Sequence, residues 1–148
     1  RLVIFASEDI GNADPRALTI AVSAMDAVHR IGMPEARIPL GQAVTYLAAA
    51  PKSNAAYKAM DAAIATVRRT GPLPVPLHLR NAPTNIAKSM GHGDGYKYPH
   101  DYPDHIVEQT YMPDELRGQR FYSPSGQGTE KTITERLRWW NERLKSRQ

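Results

Sequence analysis

The sequence predicts an all-α fold, on three observations. The stretch from Asp14 to Gly32 is apolar at helical spacing around most of its circumference, as a helix at the centre of a helical domain is. Further stretches repeat that spacing between residues that start and stop helices. The segment from Gly71 to Pro83 carries alternating apolar residues but also prolines at 72, 74, 76 and 83, which remove donors and exclude a central strand.

The central helix is capped by Asp14, whose carboxylate can accept from the first free backbone N–H groups. Pro15 follows where no donor is missed. Leu18, Val22, Met25 and Val28 form one stripe, and Ala17, Ile20, Ala24, Ala27 and Ile31 a second beside it. Both are expected to be covered. Gly32 supplies the stop and Pro34 bars continuation. The apolar run Arg1-Leu-Val-Ile-Phe, lacking an initiating Met, suggests a piece of a longer polypeptide. A second helix is expected over 35–50, with Ile38, Leu40, Val44, Leu47 and Ala48 in register and Pro51 at its end. Ser53 or Asn54 caps a third, in which Ala56, Tyr57, Met60, Ala63, Ile64 and Val67 make one stripe before Gly71. The short link predicts an alanine-rich antiparallel hairpin. Its surplus face, Tyr46, Tyr57, Met60, Ile64 and Val67, is the candidate subunit interface.

Residues 71–83 read as an extended strap, after which Thr84 caps a short helix with Ile86, Ala87 and Met90 inward. From Gly91 to Gly128 periodicity disappears, apart from a helical turn at Pro113–Leu116. Six of the eleven aromatics lie there, namely Tyr96, Tyr98, Tyr102, Tyr111, Phe121 and Tyr122. Disordered chains are aromatic-poor, so this is expected to be an ordered loop stapled to the helices by its tyrosines. A last helix spans about Thr129 to Lys145, with Ile133, Leu137, Trp140 and Leu144 inward and Trp139 beside them. Arg136, Arg138, Arg143, Lys145 and Arg147 make the rest of it basic.

A chain of 148 residues is expected to form one domain, burying roughly 68–70% of its unfolded surface. There is no cysteine, which excludes disulfides and thiolate metal sites and suits a reducing cytoplasm. No apolar run reaches the roughly 18 residues of a membrane span. The formal net charge is +4, and residues 117–148 hold eight Lys/Arg against three Asp/Glu. Such a balance permits an acidic partner but also describes a solvated helix face.

Little points to catalysis. His92, His100, Asp101, Asp104 and His105 include metal-ligand types, yet their spacing fits no zinc pattern and prolines interrupt any helical register. A metal-dependent hydrolase is the weakest of the readings, and turn capping explains the same residues. Gly91-His-Gly-Asp-Gly lacks the Gly-Lys-Ser/Thr ending of a phosphate loop. Asp26 and His29 fit a surface pair, and no serine sits in a nucleophile elbow. No catalytic, cofactor or metal residue is assigned. Aromatic and basic residues interleave at Tyr96-Lys-Tyr98 and Arg120-Phe-Tyr122. With the basic last helix these make Arg120, Arg136, Arg138, Trp139 and Arg143 candidate DNA contacts, through stacked bases and neutralised phosphates.

Four blocks, Ile4-Phe-Ala-Ser-Glu-Asp-Ile-Gly-Asn-Ala-Asp-Pro15, Ala50-Pro-Lys-Ser-Asn-Ala55, Pro76-Leu-His-Leu-Arg-Asn-Ala-Pro-Thr84 and Gly95-Tyr-Lys-Tyr-Pro-His-Asp101, resemble the C-terminal region of the replication-associated recombination ATPases, called RarA or MgsA in bacteria. Arg120-Phe-Tyr-x-Pro124 with Gly128, Glu130 and Arg136-Leu extends the likeness over nearly the whole chain. The resemblance implies a helical domain that joins clamp-loader-like AAA+ subunits into a homotetramer. It further implies that ATP and Mg bind in an ATPase portion upstream of Arg1, with no cofactor in this fragment. The complete protein would act, with DNA and replication-fork proteins, at stalled forks in the nucleoid.

Overall fold

The computed structural model describes residues 1–146; Arg147, one of the basic residues assigned to the last helix, lies outside them. Among the described residues there are six α-helices and no strands: α1 (Leu2–Phe5), α2 (Arg16–Ile31), α3 (Arg37–Ala49), α4 (Ala55–Thr70), α5 (Asn85–Ser89) and α6 (Glu130–Lys145). They fall into two compact units. One comprises Arg1–Ile64 and Phe121–Leu137, and the other residues 65–120 with those from 138 onward.

In the first unit α2 is central, packed against α1, the π-helical turn Ala6–Ile10 and α3. The core is Ala6, Ile10, Ala17, Ala21 and Leu47, with Leu2, Val3, Phe5, Tyr46 and Ala50 around it. Only the small-residue side of α2 faces in. Ala17, Ala21 and Ala24 are buried, whereas Leu18, Val22 and Met25 are exposed. The expectation that both stripes are covered is thus corrected: the first is largely open, and in the second Ala17 and Ala24 are buried but Ile31 is 56% exposed. Alanine faces let two backbones approach closely, and such contact excludes the longer side chains to the flank. The same choice recurs on α3, where Ala43 and Leu47 are buried and Ile38 and Val44 exposed.

Two further expectations are revised, and one element is added. The hairpin forms between α2 and α3, not α3 and α4, because Ala50 turns to extended backbone (φ −66°, ψ 146°) and leads α4 away. The N-terminal run is helical, with Leu2, Val3, Ala6 and Ile10 facing the core. Trp140 is as exposed as Trp139, at 40%, leaving Ile133, Leu137 and Leu144 as the half-buried side of α6.

In the second unit the strap is extended except for a single turn at Leu77–Leu79. The Thr84 hydroxyl caps α5 by accepting from Ala87 N at 3.1 Å, as expected. Ile86 and Met90 face outward, however, at 73% and 61% exposure. Tyr96, Tyr98, Tyr102 and Tyr111 are exposed too and do not staple the loop, whereas Tyr122, half-buried with its hydroxyl on Glu130, does tie its end to a helix. Polar bonds hold it instead. Gly93 N donates to Leu77 O (2.9 Å), Lys97 N donates to Gln109 Oε1 (2.8 Å), and His78 Nε2 bonds Thr110 O (2.7 Å).

Candidate functional site

Four segments of the first unit meet at one buried carboxylate. Glu130, at the first position of α6, has no exposed surface. It accepts from Ser53 Oγ (2.8 Å), Tyr122 OH (2.8 Å), Ser125 N (2.6 Å) and Ser125 Oγ. Asn12 Nδ2 in turn donates to the Tyr122 oxygen at 3.3 Å. The Ser53 hydroxyl also accepts from Ala55 N, so that serine is the cap of α4. Burial works to raise the Glu130 pKa, but the bonds from Ser125, Ser53 and Tyr122 outweigh it and hold the group below the usual carboxylate range. A satisfied, ionised carboxylate at a helix N-terminus is also favoured by the helix dipole.

Backbone contacts close the same hub. Ser53 N donates to Asp9 O (2.8 Å) and Thr129 N to Ala13 O (2.8 Å). Gly11 (φ +50°) lies against Ser53, where an added Cβ would come within 2.8 Å of the carbonyl oxygen. Gly128 (φ +50°) lies still closer to the Ala13 carbonyl and the Pro51 ring. Both positions require glycine. Beside the hub, Asp14 caps α2 by accepting from Arg16 N (3.2 Å), and it also receives Arg16 Nε (2.9 Å) and the Tyr46 hydroxyl. The Arg16 bond, helped by Tyr46, outweighs burial and keeps the Asp14 carboxyl low, while Asp14 raises the Tyr46 phenol.

These contacts give three of the sequence blocks, around Asp9–Asp14, Pro51–Asn54 and Tyr122–Glu130, one shared structural task. The hub positions helix starts, and its polar side chains bond one another around the buried Glu130 carboxylate. Sequence inspection named Glu130 only among the residues that extend the family resemblance, since nothing local announces donors from residues as distant as Ser53.

A different surface carries the apolar surplus. Along α4, Tyr57, Met60, Ile64 and Val67 are 40%, 55%, 42% and 60% exposed. Small or short side chains, Ala55 and Thr66, are buried on the other side. Tyr57, Met60 and Ala56 line a groove of about 370 Å³ with Ile4, Ser7 and Glu8. Tyr46 stands apart from this stripe, half-buried with its hydroxyl on Asp14.

The basic candidates are all exposed. Arg120 bonds Asn141 (3.3 Å), and the Arg143 guanidinium lies over the Trp139 ring at 5.3 Å. At 3.6 residues per turn Arg136 shares the side of α6 that carries Trp139 and Arg143, and Arg138 does not. The His100 ring makes tilted contacts with those of Tyr98 (5.1 Å) and His105 (4.7 Å), and no group of three or more metal-ligand side chains converges among the described residues. No helix among those residues is long and apolar enough to cross a membrane.

Comparison with known proteins agrees with the resemblance in the motifs. Residues 1–141 match the family model described as MgsA AAA+ ATPase C terminal. The replication-associated recombination protein A of Coxiella burnetii is 49% identical over 141 residues, covering 95% of this chain and 32% of that protein. Those of Escherichia coli K12 and Haemophilus influenzae are 46% and 44% identical, covering 94% and 99% of this chain and 31% and 33% of the relatives. The chain therefore spans about a third of the length of these relatives. With its all-helical fold and three of its family blocks gathered at the Glu130 hub, it belongs to the family of C-terminal domains of the MgsA AAA+ ATPases.

Proposed function

We propose that this chain is the self-assembly module of a clamp-loader-like AAA+ ATPase, with four copies associating through the outward face of α4. The observation that carries the reading is the row Tyr57, Met60, Ile64 and Val67, apolar and open to solvent. An obligate interface commonly buries more than about 2,000 Å² in total, and an apolar row of this kind is what such an interface covers. Tyr46 contributes indirectly, by fixing the start of α2.

In this reading the chain performs no chemistry itself. ATP and Mg bind elsewhere in the complete protein, a cytoplasmic, nucleoid-associated DNA-stimulated ATPase that works with replication-fork proteins on DNA repair and recombination. Sedimentation of the chain at tens of micromolar tests the assembly reading: the expected species is a tetramer, and a strict monomer overturns it. A second reading, direct contact with DNA through Arg120, Arg136, Arg138, Trp139 and Arg143, is favoured by the exposure of both tryptophans among arginines on one helix.

A further inference from the structure

Helical register sorts the exposed residues of α6 into two kinds. At 3.6 residues per turn, Arg136, Trp139, Trp140 and Arg143 fall within an arc of about 100°, and Glu135 and Glu142 fall outside it. This face is therefore aromatic and cationic, with no acid on the helix itself. Both indoles are 40% exposed, more than a core role requires. Arg143 lies 5.3 Å over the Trp139 ring, which pre-orders its guanidinium beside a stacking surface. Among the described residues Asp104 faces it from another segment, its carboxylate 3.9 Å from Arg143 and the two side chains 38% and 50% exposed. So long and solvent-screened a pair yields readily to a phosphate.

We infer that this face binds single-stranded nucleic acid, Trp139 and Trp140 stacking on bases while Arg136 and Arg143 neutralise adjacent phosphates. Open indoles between cations match the two recurring parts of such sites, a stacking platform and a backbone-tracking charge. A duplex cannot offer its base faces to the rings, so the single strand is the favoured form. A DNA or RNA strand satisfies the same chemistry. The inference deepens the DNA-contact reading by naming its ligand and is independent of the assembly reading.

The chain's two tryptophans are both on this face, so its intrinsic emission reports the site directly. The experiment titrates the chain with oligothymidylate and oligouridylate of about 16 nucleotides, the upper end of a single site, and with a duplex of equal length. Titrations are run at about 50 and 200 mM salt. Saturable quenching by a single strand is expected, with affinity falling as salt rises, and the thymidylate and uridylate arms tell which sugar is preferred. Trp139→Ala should weaken binding roughly 5- to 150-fold, as loss of one stacked base does. Trp139→Phe, which keeps a ring and leaves Trp140 as reporter, should retain most of it. Arg136→Gln with Arg143→Gln should reduce the log–log salt slope by about 1.4, two single-strand contacts at about 0.7 each. The inference is overturned by absence of quenching at the lower salt, by equal affinity for duplex, or by variants that bind like the parent. It is overturned equally if Trp139→Ala lowers the sedimenting mass with nucleic-acid binding unchanged, since the face is then a protein contact.

Discussion

The Ser53 hydroxyl donates to the Glu130 carboxylate across 2.8 Å, joining residues 77 positions apart. That bond couples the start of α4 to the start of α6, and both helices present the exposed residues to which function is assigned. Glu130→Gln keeps the volume but replaces an ionised acceptor with an amide that meets the Ser125 N–H and hydroxyl donors. A loss of about 2 kcal/mol at neutral pH is expected, the scale of a disrupted charged hydrogen-bond set. Urea unfolding of the two proteins measures it.

The pH dependence follows from the same group. Glu130 and Asp14 are both held below their ordinary values in the fold, so the stability they contribute is complete above the unfolded-state values of roughly 4. It is lost as pH falls through the folded-state values. Stability with respect to these groups is therefore flat from neutral to about pH 5 and declines below about pH 4. Glu130→Gln should flatten that acid limb, and the gap between variant and parent should shrink in unfolding curves at about pH 3.

Gly128→Ala sets a methyl group against the Ala13 carbonyl and the Pro51 ring at a backbone φ of +50°. Neither obstacle is a flexible chain end, and Thr129 N must still reach Ala13 O. The expected loss is about 3 kcal/mol or more, combining strain with displaced backbone. Gly126→Ala, also at positive φ but with open space around it, should lose only about 1 kcal/mol. Equal thermal shifts for the two would contradict the close approach.

Asp14→Ala removes a side-chain cap from the central helix and leaves the Tyr46 hydroxyl without its acceptor. About 1 kcal/mol is expected from the cap. Asp14→Asn, which can still accept from Arg16 N, should recover part of it. Chemical unfolding of the three proteins decides.

The helices from Asp14 to Thr70 and the C-terminal helix were legible because Asp14, Ser53, Gly32 and Gly71 act through their nearest neighbours, on whose identity the sequence is explicit. Which side of each helix faces inward was not legible. Periodicity places Leu18, Val22 and Met25 on one stripe of α2 and Ala17 and Ala24 on another, and hydrophobicity alone favours burying the larger set. Close helix contact selected the smaller. Leu2–Phe5 is too short for a periodic window, and its pattern completes itself only through Ala6 and Ile10. The Glu130 hub needs Asn12, Ser53, Tyr122 and Ser125 together, a convergence that belongs to the fold and not to any stretch of chain. The family blocks marked its parts without showing that they meet.

The assembly reading is tested most directly by the mass of the parent chain beside that of Met60→Asp with Ile64→Asp, measured by light scattering at tens of micromolar. Both side chains are about half exposed, so the double variant should keep its helical circular dichroism and unfolding midpoint close to the parent's. Charges placed at a desolvated contact weaken association by about a hundredfold or more. The account predicts a tetramer for the parent and dissociation for the variant. A monomeric parent, or a variant with unchanged mass, would contradict it.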